Sequence, residues 1–192
     1  MGDANKTMFQ LETPRLILRD WIAADWPLIW TLASEPTVTR YQDRIRLPDE
    51  DACRRWLAAA IYDNQQEPRF AYSTAVVVKE TTRAVGWLHW QESEDPAEGD
   101  VSFGYALLPE TWRRGYMSEA VRAMLAYVFE VQRRNSVYAT CATSNPASAG
   151  VLEKAGLTLV ERWMHRDDDL GLEEEYRRYR LDRSALVNPC FV

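Results

Sequence analysis

Apolar residues recur along this chain at two periods, and the switches between them mark its elements. Arg15 to Trp21 reads as a strand bounded by Pro14. Trp26, Ile29, Trp30 and Ala33 share helical spacing within a helix predicted over residues 23–33. Residues 34–47 keep neither period and read as a loop, and a second helix is predicted over 48–66, with Asp49, Glu50 and Asp51 in its first turn. Strands over 70–79 and 84–91 flank a hairpin turn at Glu80-Thr81-Thr82-Arg83, and residues 92–99 form an acidic loop. A strand over 100–108 leads to a helix over 115–131 that would bury Ala120, Val121, Met124, Leu125, Val128 and Phe129. After a strand over 135–142, Asn145-Pro146 opens a helix as cap and first residue, and Gly156 closes it. Residues 157–166 and 173–182 form a final strand pair. The order β-α-α-β-β-β-α-β-α-β-β predicts an α/β (α+β) fold: a mixed, mostly antiparallel sheet of about seven strands with helices on both faces.

Length and charge narrow this picture. The 192 residues suit a single domain over 11–183, with a flexible arm at 1–10 and a tail at 184–192. A net charge of −6 argues against a nucleic-acid partner. No apolar run reaches membrane-spanning length and no apolar signal core opens the chain, so no membrane partner and a cytoplasmic location are expected. Cys53, Cys141 and Cys190 are odd in number and widely spaced, which predicts neither a disulfide framework nor a metal site. Monomer and homodimer both remain open.

The richest segment runs from Leu107 to Ala120. A strand ends at Pro109, a turn carries Arg113, Arg114 and Gly115, and a helix begins. Free N–H groups at a helix start, the helix dipole and two guanidinium groups make an anion site, and glycine lets a bulky anion approach the backbone. The nucleoside-triphosphate loop and the dinucleotide fingerprint are both absent. Gly104, in the middle of the preceding strand, predicts a bulge or a close backbone approach. A ligand with a peptide-like arm and a diphosphate fits that order, and coenzyme A has both.

Three motifs in sequence carry a resemblance. Leu11-Glu12-Thr13-Pro14-Arg15-Leu16-Ile17-Leu18-Arg19 comes first. Phe103-Gly104-Tyr105, Pro109 and Trp112 to Ala120 follow, then Asn145-Pro146-Ala147-Ser148 to Leu157. Together they resemble the GNAT superfamily of acyl-coenzyme-A-dependent N-acyltransferases, with the ribosomal-protein-alanine acetyltransferase-like (RimJ/RimL-type) branch the closer match. The resemblance covers roughly residues 10–182. Departures exist: Trp112 and Met117 replace the wider superfamily's turn residues, Arg113 stands where the branch often has glycine, and Leu152 fills the place of a proton-donating tyrosine.

The resemblance implies an acetyltransferase that uses acetyl-CoA as co-substrate, without a metal, acting on a primary amine in a ternary complex. Backbone N–H groups near Tyr105 to Leu107 would stabilise the oxyanion. The strand positions Ala106, Leu107 and Leu108 and the turn positions Arg113, Arg114, Gly115, Tyr116, Met117 and Ser118 would hold the cofactor. The Ser118 hydroxyl either joins them or caps the helix. The resemblance places Asn145 against the pantetheine arm and Ser148 as hydrogen-bond donor to the thiolate. Candidate catalytic residues are thus Ser148, Asp100 and Tyr105. The base stays open among Asp100, Glu92, His89 and water. Glu119 and Glu153 read as structural. The acidic runs Asp167-Asp168-Asp169 and Glu173-Glu174-Glu175 would suit a solvated turn or attract a cationic amine; a protein N-terminus is the other acceptor expected. A different acyl donor, such as succinyl-CoA, and a coenzyme-A-binding sensor without turnover are the rival readings.

Overall fold

The computed structural model describes residues 8–93, 100–167 and 172–187. The chain runs through β1 (Gln10–Glu12), β2 (Leu16–Asp20), α1 (Trp26–Ala33), α2 (Pro36–Thr39), α3 (Glu50–Asn64), β3 (Ala71–Val78), β4 (Arg83–Glu92), β5 (Val101–Leu107), α4 (Tyr116–Ala126), β6 (Ser136–Ala142), α5 (Pro146–Lys154), β7 (Thr158–Asp167) and β8 (Leu172–Asp182). Eight strands form one sheet in the order β1-β2-β3-β4-β5-β6-β8-β7. Every neighbouring pair is antiparallel except β5 and β6, which are parallel.

The predicted elements form, with shifts at their ends. The eighth strand arises because residues 10–12 pair with 17–19 in a short hairpin. Phe9 and Gln10, expected within the arm, therefore belong to the folded unit, and the Phe9 ring meets Tyr72, Trp90 and Tyr127 edge-on. Residues 1–7, 94–99, 168–171 and 188–192 lie outside the described residues. The loop expected over 34–47 contains α2, where the Glu35 side chain accepts from Thr37 N–H at 3.1 Å and Pro36 sits at the first position. The second helix starts at Glu50 because extended Asp49 caps it, accepting from Ala52 N–H at 2.7 Å. The fourth helix ends in a π-turn over Tyr127–Val131 that still buries Val128 and Phe129.

Helices cover both faces, so β3 is buried almost throughout. One core packs α4 and α5, through Met117, Val121, Met124 and Leu152, onto the sheet. The other packs α1 and α3, through Ile29, Leu32 and Leu57, against Trp21 and Trp87. Both indole N–H groups of that second core donate to Ser73 Oγ, at 2.9 and 3.2 Å, which satisfies two buried donors at once. At Gly86 a Cβ would meet the Ala106 carbonyl at 2.4 Å, so only glycine allows β4 and β5 to approach this closely. No helix among the described residues is long and apolar enough to cross a membrane.

Candidate active site

The parallel pair β5–β6 makes the site. Its register holds only at Val101↔Val137 and Ser102↔Tyr138, after which the strands part. Of the bulge or close approach expected at Gly104, the bulge does not form, and this parting makes the opening. The β4–β5 register runs without a shift, and a Cβ at Gly104 would meet nothing within 4 Å. Leu108 N–H donates to the Val85 carbonyl. Antiparallel alternation then turns the backbone groups of Ala106 and Gly104 toward β4, and those of Tyr105 and Leu107 into the gap. Two carbonyl contacts agree: Gln42 Nε2 donates to the Tyr105 carbonyl at 2.8 Å, and Trp112 Nε1 to the Leu107 carbonyl at 2.8 Å. The Tyr105 and Leu107 N–H groups are thereby aimed into the gap.

A cleft of about 780 Å³ lies on one side of the gap. Tyr105, Ala106, Leu107, Arg113, Gly115, Tyr116, Met117, Ser118, Asn145 and Ser148 all line it, so most of the expected cofactor residues converge. Gly115 precedes α4 in the left-handed region (φ +75°), and the helix start carries no side-chain cap. Its first N–H groups therefore face the cleft without competition, as a diphosphate requires. Arg113 is also left-handed (φ 62°), which explains why glycine is the easier residue at that place. A residue of the first motif that was given no role there supports the turn. Arg15 donates from Nη1 to the Arg114 carbonyl at 3.0 Å and from Nε to Glu119 at 2.6 Å. Its Nη2 comes 3.4 Å from where a Gly115 Cβ would stand. Glu119 also accepts from Thr13 Oγ1 and Arg15 N–H. Burial opposes its charge, but these hydrogen bonds prevail and hold its carboxyl below the usual range.

Three expected residues stand elsewhere. Leu108 is buried in the second core and its N–H is spent on Val85. Arg114 contributes a carbonyl to Arg15 rather than a cleft wall. Asp100 accepts from Asn135 N–H at 2.6 Å while its own N–H donates to Ser136 Oγ at 3.0 Å. It ties the starts of β5 and β6 together, about 16 Å of strand from Tyr105, too far to deprotonate an amine there. Glu92 pairs with Arg134 and lines neither side of the gap.

A second chamber of about 380 Å³ lies across the gap, and Tyr41, Gln42, Asn145 and Ser148 line both chambers. The Tyr41–Gln42 segment bridges the lips, since Tyr41 Oη also donates to the Ser144 carbonyl at 3.0 Å. Asn145 Oδ1 caps α5 by accepting from Ser148 N–H at 3.0 Å. Ser148 Oγ lies 2.8 Å from Tyr105 Oη, and the phenol also donates to the Ser148 carbonyl at 3.2 Å. Desolvation raises the Tyr105 phenol, with the Ser148 contact opposing, so it stays protonated at any working pH. Cys141, also in the second chamber, is raised by burial against the pull of Ser148 and Arg177, and remains a thiol. His89 is pushed down to about 4, chiefly by burial, with a Gln91 hydrogen bond opposing and the Arg44 charge adding. An imidazole that weak is a poor base for an amine. Glu174 and Glu175 serve Ser144 N–H and Thr143 Oγ1 instead of facing either chamber, while Asp168 and Asp169 lie outside the described residues. No group of three metal-ligating side chains occurs among the described residues.

Known proteins share this fold. The model of the acetyltransferase (GNAT) domain matches residues 15–158. The uncharacterized N-acetyltransferase YoaA of Bacillus subtilis is 29% identical over 148 residues, covering 76% of this chain and 81% of the relative. Among solved structures, the ribosomal-protein alpha-N-acetyltransferase RimL in complex with coenzyme A superposes with a TM-score of 0.75 at 16% identity, over 91% of this chain and 98% of that one. Spermidine N-acetyltransferase from Vibrio cholerae, solved with coenzyme A and spermine, gives 0.74 at 16% identity, over 92% and 100%.

Proposed function

The chain belongs to the GNAT acetyltransferases, acetyl-CoA-dependent enzymes, and from that membership we propose that it acetylates a primary amine by direct attack within a ternary complex. The observation that carries this reading is the pair of chambers meeting at Tyr41, Gln42, Asn145 and Ser148 across the parted strands. Acetyl-CoA supplies a thioester whose carbonyl carbon the neutral amine attacks and whose thiol leaves. The residues present fit it: an uncapped helix start behind left-handed Gly115 suits the diphosphate, and the gap offers a peptide-like arm two unpaired N–H groups.

Each residue then has a task. The Tyr105 and Leu107 N–H groups stand about 7 Å apart along the strand, so one of them hydrogen-bonds the carbonyl oxygen as negative charge gathers on it while the other holds the arm. Asn145 holds Ser148 at the first turn of α5, and the Ser148 hydroxyl donates to the departing sulfur. Tyr105 sets which way that hydroxyl points. The amine's proton passes to water, since no carboxylate among the described residues lines the second chamber.

Calorimetry with acetyl-CoA tests the cofactor half, with Gly115→Trp as control. Binding by the wild type that the variant loses is the expected result. No binding by the wild type would overturn acetyl transfer and favour another acyl donor or a non-catalytic role.

A further inference from the structure

Tyr41 and Gln42 belong neither to the cofactor turn nor to the start of α5, yet they stand with Asn145 and Ser148 on the boundary of the two chambers. The segment that presents them is firmly founded. Val38 before them and Ile45 after them are buried in the second core. Arg46 folds back to donate to the Thr39 and Arg40 carbonyls, at 2.8 and 3.3 Å. At the tip, Tyr41 Oη donates to the Ser144 carbonyl at 3.0 Å and accepts from Ser144 Oγ at 3.2 Å, so its one proton is spent. Gln42 keeps one group in reserve. Its Nε2 donates to the Tyr105 carbonyl at 2.8 Å. That bond fixes which way the amide lies, because turning it over would set two oxygens against each other. Oε1 is therefore turned away from that carbonyl, and nothing among the described residues donates to it.

Resting on the acetyl-transfer reading above, we propose that Gln42 orients the attacking amine, its Oε1 accepting one N–H of the neutral acceptor at the boundary of the chambers. The Tyr105 N–H and carbonyl face the same gap, so the Gln42 amide stands within one residue of the bound thioester arm. A neutral primary amine has two N–H bonds and one lone pair. Holding one N–H aims the lone pair at the carbonyl carbon. As the N–C bond forms, nitrogen turns positive and its hydrogen bond to Oε1 strengthens, so the contact favours the transition state over the bound amine. The second N–H is left to pass its proton to water. An amide oxygen suits this task better than a carboxylate would. It carries no full charge, so it does not hold the amine in its ammonium form, which has no lone pair to attack with. The second chamber, about 380 Å³, gives the body of a small amine room, and a Cβ at Gly104 on its wall would meet nothing within 4 Å.

The test is Gln42→Met, which keeps the reach of the side chain and removes both polar ends. Thiol release at saturating acetyl-CoA is followed with spermidine, with alanine and with a peptide that has an N-terminal alanine. It is followed again at high enzyme concentration with no acceptor, where water attacks the thioester instead. Calorimetry gives the acetyl-CoA affinity and a thermal melt checks folding. The proposal expects kcat, with the amine that the wild type uses best, to fall about tenfold or more, the contribution of one hydrogen bond to a group that gains charge. Acetyl-CoA affinity should stay within about twofold, less than a lost hydrogen bond to the cofactor would cost. The ratio of amine transfer to hydrolysis should fall with kcat, since hydrolysis involves no held amine. A Gln42→Met enzyme with wild-type kcat would overturn the proposal. So would hydrolysis falling in step with amine transfer, or weakened acetyl-CoA binding, either of which would make Gln42 a prop for Tyr105 and nothing more. A wild type that acetylates none of the amines, or that binds no acetyl-CoA, would instead sink the underlying reading and this assignment with it.

Discussion

Replacing Ser148 by Ala separates a catalytic hydroxyl from a helix-start serine. A phenol has one proton to give. When Tyr105 donates to the Ser148 carbonyl at 3.2 Å, the serine donates back across the 2.8 Å contact. When Tyr105 donates to Oγ instead, the serine proton is released to turn toward the departing sulfur. Ser148→Ala removes that donor yet leaves Tyr105 its carbonyl partner, so folding should lose only about 1 kcal/mol, one exchanged hydrogen bond. The chemical step should lose more. A donor to a developing oxyanion is worth roughly 3 kcal/mol, and a thiolate is a larger, weaker acceptor, so about 1.4–2.8 kcal/mol is expected, or a fall in kcat of about 10- to 100-fold. Tyr105→Phe should cost less, about fivefold, because the serine stays but is no longer oriented. In the double variant the tyrosine effect should vanish, since it acts through the serine. The assay is thiol release at saturating acetyl-CoA and acceptor, with a thermal melt and calorimetric affinity alongside. A Ser148→Ala enzyme with wild-type kcat and unchanged affinity would refute the assignment.

Two further outcomes follow from the same geometry. Glu119 is held below the usual carboxylate range in the folded protein, so its stabilising contribution is full above the unfolded value, about 4.3, and is lost as pH falls through the folded one. Glu119→Gln should cost about 1 kcal/mol near neutrality, discounted because Arg15 is half exposed, and should flatten the acid limb of melting temperature against pH; parallel curves for the two proteins would contradict this. Cys141→Ala should keep kcat within roughly twofold, because a buried protonated thiol is no nucleophile, and mass spectrometry of wild type under turnover should find no acetylated cysteine.

Much of this was legible in the chain. The period-2 and period-3.6 runs gave most elements, because burial on one face or both leaves a local trace. The Trp112–Ser118 turn and the Asn145-Pro146 start were legible for the same reason: their backbone shapes demand particular residues nearby. Gln10–Glu12 is too short to show a period. Tyr41 and Gln42 carry no local signature, since their part is fixed by Ser144 and Tyr105, each more than sixty positions away. Arg15 sat inside a recognisable motif, but its reach to the Arg114 carbonyl depends on the first hairpin meeting α4. Asp100 read as a base because it begins the central strand; only the pairing of strand starts reveals that its carboxylate is occupied by Asn135.

The seam between β5 and β6 has one more consequence. With two rungs joining them, the halves of the sheet are held together there by little ladder bonding, and the gap beyond is a sheet lacking a strand. A ligand arm lying in that gap would act as the absent strand, and the folded lifetime of the protein would then follow its supply. At a ligand concentration one hundred times Kd the gain is about 2.7 kcal/mol, comparable to a sizeable share of a domain's whole stability. Substitutions along the seam would therefore look harmless in cells rich in the thioester and ruinous in starved ones, which ties the abundance of the enzyme to the metabolic state that gives it work.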